Sequence, residues 1–348
     1  MTRAPRQPPY PPSELIAAWE WDPPETILRA GIGPIVNMET GGRDGSDNWP
    51  ITWADDDRLY VAYGDGYGFE PYVGEKLGMG FGRITGWPAT MQAENIRSET
   101  GENRGYGESG KKGSGLVMVD GVLYLWLFHA DQEGSQAQLA VSRDLARTWE
   151  ACEWRFAEFG LCAFVNFGRN YEGARDGYVY TVSHDGPRAN QPADRMILMR
   201  APVDGITERR LYTFFAGLDG DGRPQWSSDI AARASVFDHR GSCLRSGISY
   251  CAPLGRYLWW QHIPQPAGHR DRGDTRFDGG FGIYEAPELW GPWRTAYFTE
   301  EWDVGPGERA DFPTKWMSPD GCELYMVFSG SDNFCVRRAA LTVATPSP

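Results

Sequence analysis

The sequence predicts an all-β chain, a five-bladed β-propeller, and three observations carry that expectation. The first is composition: 43 glycines and an aromatic fraction of 14% in 348 residues suit many short strands joined by tight turns. The second is a repeat. Arg-Leu-Tyr60-Val-Ala-Tyr63 returns as Gly-Val-Leu-Tyr124-Leu-Trp126, Gly-Tyr-Val-Tyr180-Thr-Val182, Arg-Tyr-Leu-Trp259-Trp-Gln261 and Glu-Leu-Tyr325-Met-Val-Phe328, at a mean spacing of about 66 residues. The third is that connections fall into two classes, short turns and long charged loops, as expected when strands around a common centre send alternate connections to opposite faces. A β-sandwich array or a β-helix is the competing reading, although their repeats are usually shorter or longer.

Taken in order, residues 1–20 form a Pro-rich arm, expected to be loose, ahead of a single domain over 21–345. The first hairpin has an apolar, β-branched run at 49–53, turn chemistry at 54–57 and a second run at 59–63 that ends in Gly64-Asp65-Gly66. Later units repeat strand, tight turn, strand, with turns at 120–121, 176–177, 254–255 and 320–321. Further strands follow at 138–141 and 149–156, 196–200 and 211–215, 281–285 and 293–298, and 334–343. Trp49, Gly115, Phe164, Ile248 and Phe312 are expected on innermost strands, with residues 26–30 closing the ring beside the last blade.

The formal net charge of -13 argues against a nucleic-acid partner, whose footprint is basic. No apolar run approaches the roughly 18 residues that cross a membrane, and the start lacks a signal-peptide core. Six cysteines occur without a Cys-x-x-Cys pair. Cys243 and Cys251 lie near opposite ends of one predicted strand, too far apart to bridge. Free thiols are therefore expected, favouring a reducing, cytoplasmic location.

The long loops gather on one face, and the strand ends there supply the candidate site. The innermost strands offer Asp47 and Asn48, Lys111 and Lys112, Asn166, Arg245, and Asp311 with Lys315; the second strands add Asp65, His129, His184 with Asp185, and His262. In an antiparallel pair the residue entering one strand lies beside the residue leaving the other, so Asp47 and Asp65 should share one mouth. Trp49 is a candidate for stacking on sugar. The three histidines raise a metal reading, against which ordinary hydrogen-bonded histidines are commoner. No cofactor is implied, with a structural ion near the centre kept as an alternative.

Several stretches carry a family resemblance. Asp47-Asn-Trp-Pro-x-Thr-Trp-Ala-Asp-Asp56 with Leu59-Tyr-x-Ala-Tyr-Gly-Asp-Gly66, Lys112-Gly-Ser-Gly-Leu116, Ala174-Arg-Asp-Gly-Tyr-Val-Tyr180 and Phe312-Pro-Thr-Lys-Trp-Met-Ser-Pro-Asp-Gly321 resemble the propeller family grouped as domain of unknown function 4185. Its relatives include the inverting endo-D-arabinanases of glycoside hydrolase family 183. The resemblance runs from about Trp21 onward. Ser142-Arg-Asp144-Leu-Ala146-Arg-Thr-Trp149 also resembles the structural turn of sialidase-like propellers, with alanine in place of the usual glycine. Gly291-Pro-Trp293 is similar to a turn of five-bladed furanosidases. Those enzymes place an Asp on the first inner strand, which Asp47 matches, and an acid, usually Glu, on the third, where this chain offers Asn166.

These observations lead to a glycoside hydrolase acting on an oligo- or polysaccharide, a furanoside such as arabinan among the candidates. Inversion requires one carboxyl as acid and another as base activating water. Asp47 is expected as the base and Asp65 or Asp311 as the acid. A polysaccharide lyase is the alternative, with Lys112, Arg245 and Lys315 neutralising a uronate and Tyr63 or His184 as base. A sugar-binding propeller without catalysis is the third reading. It would repeat one site per blade, whereas these strand ends differ from blade to blade. In either binding mode Arg245→Ala is expected to weaken the ligand's hold without unfolding the protein.

Overall fold

The computed structural model describes residues 6–264, 279–304 and 307–344. Apart from three-residue 3-10 turns, its regular structure is β throughout. The chain forms successive antiparallel meanders. The first runs through Ile51–Trp53, Leu59–Gly66, Leu77–Thr85 and Gln92–Ile96, and the second through Lys112–Val119, Val122–Phe128, Ala137–Ser142 and Glu150–Phe156. The third contains Cys162–Asn166, Tyr178–His184, Ala193–Pro202, Thr213–Leu218 and Pro224–Ser227, with Ser235–Cys243 also pairing on its third strand. The fourth contains Ser246–Cys251, Arg256–Pro264, Gly279–Ala286 and Arg294–Thr299. The last contains Gly307–Asp311, Glu323–Gly330 and Phe334–Val343, completed by Ile16–Trp21 from the start of the chain.

First strands of successive meanders lie side by side. The third and fourth meanders are joined into one sheet by parallel pairing of Val165 with Ile248 and Asn166 with Ser249. Apolar clusters fill the spaces between meanders: Trp49 and Ile51 meet Val327 and Phe334 of the last one, while Tyr60 and Ala62 meet Leu116 and Leu125 of the second. A third cluster runs from Trp126 through Val182 to Trp259, and a fourth joins Trp260 to Met326. This burial is the driving term for a chain of short strands, none of which is stable alone.

The start of the chain departs from expectation. Ile16–Trp21 pairs with Phe334–Val343 and buries Ile16 and Trp19, while Ser13 Oγ donates to Glu285 at 2.7 Å. Residues 6–20 are thus tied down instead of forming a loose arm, because the apolar run after the prolines buries Ile16 and Trp19 against the last meander. Leu28–Ala30 also pairs with the last meander, at Phe334 to Val336. Trp49 and Phe312 lie just outside the first strands on which they were expected.

A larger departure concerns register. The third and last first strands end at Asn166 and Asp311, so the residues expected to open these strands instead close them. The connections that follow, 167–177 and 312–322, are not tight turns; each is built on a 3-10 turn, Arg169–Tyr171 and Thr314–Trp316. Pro313 fixes its own φ and cannot donate to a ladder, which ends the last of these strands before the aromatic run. The sialidase-like turn does form: Ala146 adopts φ 69°, Ser142 Oγ accepts from its N–H at 2.9 Å, and Trp149 stacks on Phe81 at 5.1 Å.

Candidate functional site

Asp47 and Gly64 exchange backbone hydrogen bonds of 2.9 Å, which sets Asp47 beside Asp65 at the entrance to the first meander. Asn48 and Trp49 then adopt φ values of 69° and 61°, a bulge between Asp47 and the strand at Ile51. The bulge sends the two side chains to different places. Asn48 donates to Asp47 Oδ1 at 3.0 Å and accepts from Arg245, whereas Trp49 is 1% exposed among Tyr63, Phe69 and Phe334. Trp49 is therefore core and offers no face to a sugar.

The Gly-Asp-Gly sequence now has a physical reason. A Cβ at Gly64 would lie 2.2 Å from Asp47 Oδ1, and one at Gly66 would lie 2.0 Å from Ser46 Oγ, so both glycines let segment 45–48 lie directly on the strand. Gly64→Ala is expected to displace the Asp47 carboxyl and to destabilise the fold by about 1–3 kcal/mol. Urea unfolding checks this, and an unchanged midpoint would contradict the close approach.

Three carboxyls meet at this entrance: Asp47, Asp65 and Glu308. Lys112 bonds Asp65, and Arg245 pairs with Glu308 at 3.0 Å while also bonding Asn48. Lys112, Arg245 and Glu308 are each 4% exposed or less, whereas Asp47 and Asp65 keep part of their surface open. Burial of the carboxyl, then the charges of Glu308 and Asp65, push the Asp47 pKa well above the usual carboxylate range; Lys112 and Arg245 oppose the rise without cancelling it.

His184 and His262 are buried beside Arg245. Burial holds the His184 pKa down at about 4 and that of His262 at about 3, with the Arg245 charge adding to both. His184 Nε2 is 2.9 Å from Arg188 O, and the His262 ring stacks on Trp260. Both imidazoles are neutral at neutral pH. Among the described residues no group of three or more His, Cys, Asp or Glu side chains could hold a metal ion.

The remaining sequence candidates lie elsewhere. Asp311 is 2% exposed in a bidentate pair with Arg309, at 2.8 and 3.1 Å, and Arg309 reaches across to Ser114 O of the second meander. That pair links the first strand of the last meander to the first strand of the second. Asn166 accepts from Thr52 at 2.9 Å and donates to Leu116 O at 3.2 Å, tying three meanders together at the opposite end of the strands. Lys315 also sits at that end, bonded to Asp57 O at 2.7 Å in the first hairpin turn. Asp185 is on the correct face, but Arg195 and Arg233 hold it at 2.6 and 2.8 Å. Lys111 turns away from the mouth to bond Gln138 at 3.0 Å.

Two residues at the mouth are absent from the sequence expectation. Glu308 lies in a charged stretch that shows no strand pattern of its own, while the structure places it on Gly307–Asp311, a strand that ends at Asp311 instead of beginning there. Asn190, 3.5 Å from Arg245 Nη2, comes from loop 185–192 and carries no local signal.

No protein-family model matches the chain, and no curated protein matches it in sequence. Solved structures do match. A putative exo-beta-1,3-galactanase from Bifidobacterium bifidum s17 aligns at TM-score 0.51 and 12% identity, over 92% of this chain and 97% of that one. The catalytic domain of the Coprinopsis cinerea GH62 alpha-L-arabinofuranosidase aligns at TM-score 0.50 and 11% identity, over 96% and 99%. A putative glycosidase from Bacteroides thetaiotaomicron VPI-5482 aligns at TM-score 0.50 and 13% identity, over 95% and 96%. The chain has a β-propeller-like fold. At these identities the likeness concerns architecture, and the chemistry of the propeller has to be argued from its own mouth. There a carboxyl whose pKa is raised by burial lies beside two ion-paired carboxylates, an arrangement able to deliver a proton and to accept one.

Proposed function

We propose that this chain is a glycoside hydrolase, with each meander one blade of a five-bladed propeller. Packing clusters between successive meanders, including first against last, support the blade count. The observation that carries the activity is Asp47, whose carboxyl is buried beside Glu308 and Asp65, which together push its pKa well above the usual carboxylate range. A carboxyl kept protonated beside an ionised partner is the requirement for acid-assisted glycoside cleavage. Asp47 then protonates the leaving oxygen and Asp65, open to solvent, takes the proton of an attacking water. This exchanges the roles expected from the sequence, where Asp47 was the base. Glu308 acts indirectly, by holding Arg245 and raising Asp47. An inverting hydrolase related to glycoside hydrolase family 183, acting on a furanoside glycan such as arabinan, is the reading consistent with the motif resemblance.

Elimination fits less well. A lyase needs unengaged cations to neutralise a uronate, yet Lys112 and Arg245 are each bonded to a carboxylate and Lys315 lies at the other end. Incubation with arabinan, xylan, galactan and a polyuronate, followed by proton NMR of the first products, is the test. New reducing ends of inverted configuration from a neutral glycan are expected. Unsaturated, ultraviolet-absorbing ends from the polyuronate would transfer the site to the lyase class, and no product from any glycan would leave a binding propeller.

A further inference from the structure

Sugar-cleaving sites that take polymers need an exposed apolar face near the reacting groups, and Trp49, the aromatic suggested by sequence, does not supply one; nor do several aromatics near it or near other long loops. Trp49, Tyr63, Phe69, Trp260 and Trp316 are each 1% exposed or less. Among the described residues two aromatic side chains are prominently exposed, Trp87 at 49% and Tyr106 at 50%. Trp87 belongs to the opposite end, where Trp316 Nε1, next to Lys315, bonds Gly86 O at 3.0 Å. Tyr106 is on the side of the mouth.

Its placement is built, not incidental. The loop that carries it is tied to the third strand of the first meander by paired backbone bonds between Asn103 and Met79, at 3.0 and 3.1 Å. Gly105 O lies so close to Gly78 that a Cβ there would meet it at 1.9 Å. Gly78 O in turn lies 3.5 Å from Lys112 Nζ, the cation bonded to Asp65. Tyr106 Oη donates to Lys76 O at 2.9 Å, which fixes the ring while half of the residue stays exposed. Lys76 bonds Asp44 at 2.7 Å, and its ammonium is 5.9 Å from the ring centroid. An ordered, half-exposed aromatic ring with a cation over it therefore stands one element outside the carboxyl cluster.

We propose that Tyr106 is the stacking platform of an outer subsite, receiving the C–H face of a neutral sugar unit of a polymer whose neighbouring unit reaches Asp47. This rests on the glycoside hydrolase reading and adds a chain-length preference to it. The ring supplies an apolar contact at low ordering cost, since its hydroxyl is already engaged. Lys76 uses one of three donors on Asp44 and has others for a sugar hydroxyl.

Affinity electrophoresis through gels containing arabinan, xylan or galactan tests this without requiring turnover, with kinetics on short aryl glycosides measured alongside. Tyr106→Ala is expected to lose retention about tenfold, equivalent to ~1.4 kcal/mol, with cleavage of the aryl glycoside unchanged. Tyr106→Phe keeps the face and should stay within about twofold of the parent. Trp87→Ala serves as the exposed-aromatic control and should not change. Equal retention of Tyr106→Ala and the parent, or an equal loss in Trp87→Ala, would overturn the platform. A parent that cleaves aryl glycosides but is retained by no polymer also overturns it and leaves the hydrolase reading standing; neither cleavage nor retention removes both.

Discussion

Asp47→Asn is expected to lower turnover of an unactivated glycan by about 10²–10⁴-fold, the usual worth of a positioned acid or base. Binding should survive, since Asn keeps the shape and can still meet the Asn48 amide. The leaving group separates the two roles available to this residue. If Asp47 is the acid, a glycoside whose aryl leaving group departs without a proton should be cleaved by the variant nearly as fast as by the parent; if it is the base, the loss should be as deep on that substrate. The same substitution should stabilise the fold. An Asp whose folded pKa is raised binds more protons folded than unfolded, so its contribution to stability falls as pH rises from about 3.9, the unfolded value, through the raised folded value. Asp47→Asn removes that loss. Its melting temperature should therefore exceed the parent's at neutral pH, with the gain fading below about pH 4.

Arg245→Ala is expected to destabilise strongly, which corrects the sequence-based view that it would only weaken binding. Arg245 and Glu308 have side chains 3% and 4% exposed and pair at 3.0 Å. Removing one member of such a pair strands the other charge and costs about 3–5 kcal/mol. The stranded Glu308 relieves that cost by taking a proton, so the deficit should shrink as pH falls. Arg245→Ala with Glu308→Gln should recover part of the loss, a coupling that urea unfolding of the two singles and the double measures directly. Additive losses would contradict the pair.

What could be read in advance, and what could not, follows from the range of the interactions concerned. The hairpin at 51–66 and the meeting of Asp47 with Asp65 depend on local pairing, and Gly-Asp-Gly beside an apolar run encodes both. The ends of the third and last first strands are not legible locally, because packing against neighbouring strands sets them. Cys162–Asn166 is buried throughout, so no alternation marks its limits. A displacement of a few residues sufficed to put Asn166, Asp311 and Lys315 at the wrong end and to hide Glu308 in a supposed loop. Trp49 was ambiguous for a different reason, since an aromatic beside a long loop serves equally as core or platform. Only the positive φ angles at Asn48 and Trp49 decide it.

The central claim is that burial, reinforced by two neighbouring carboxylates, raises the Asp47 pKa, and carbon-13 NMR titration of aspartate and glutamate carboxyls measures that directly. The resonance missing from Asp47→Asn should titrate well above the ordinary value of about 3.9 and move down in a Glu308→Gln variant. A resonance that titrates near 3.9 and ignores Glu308→Gln would contradict it.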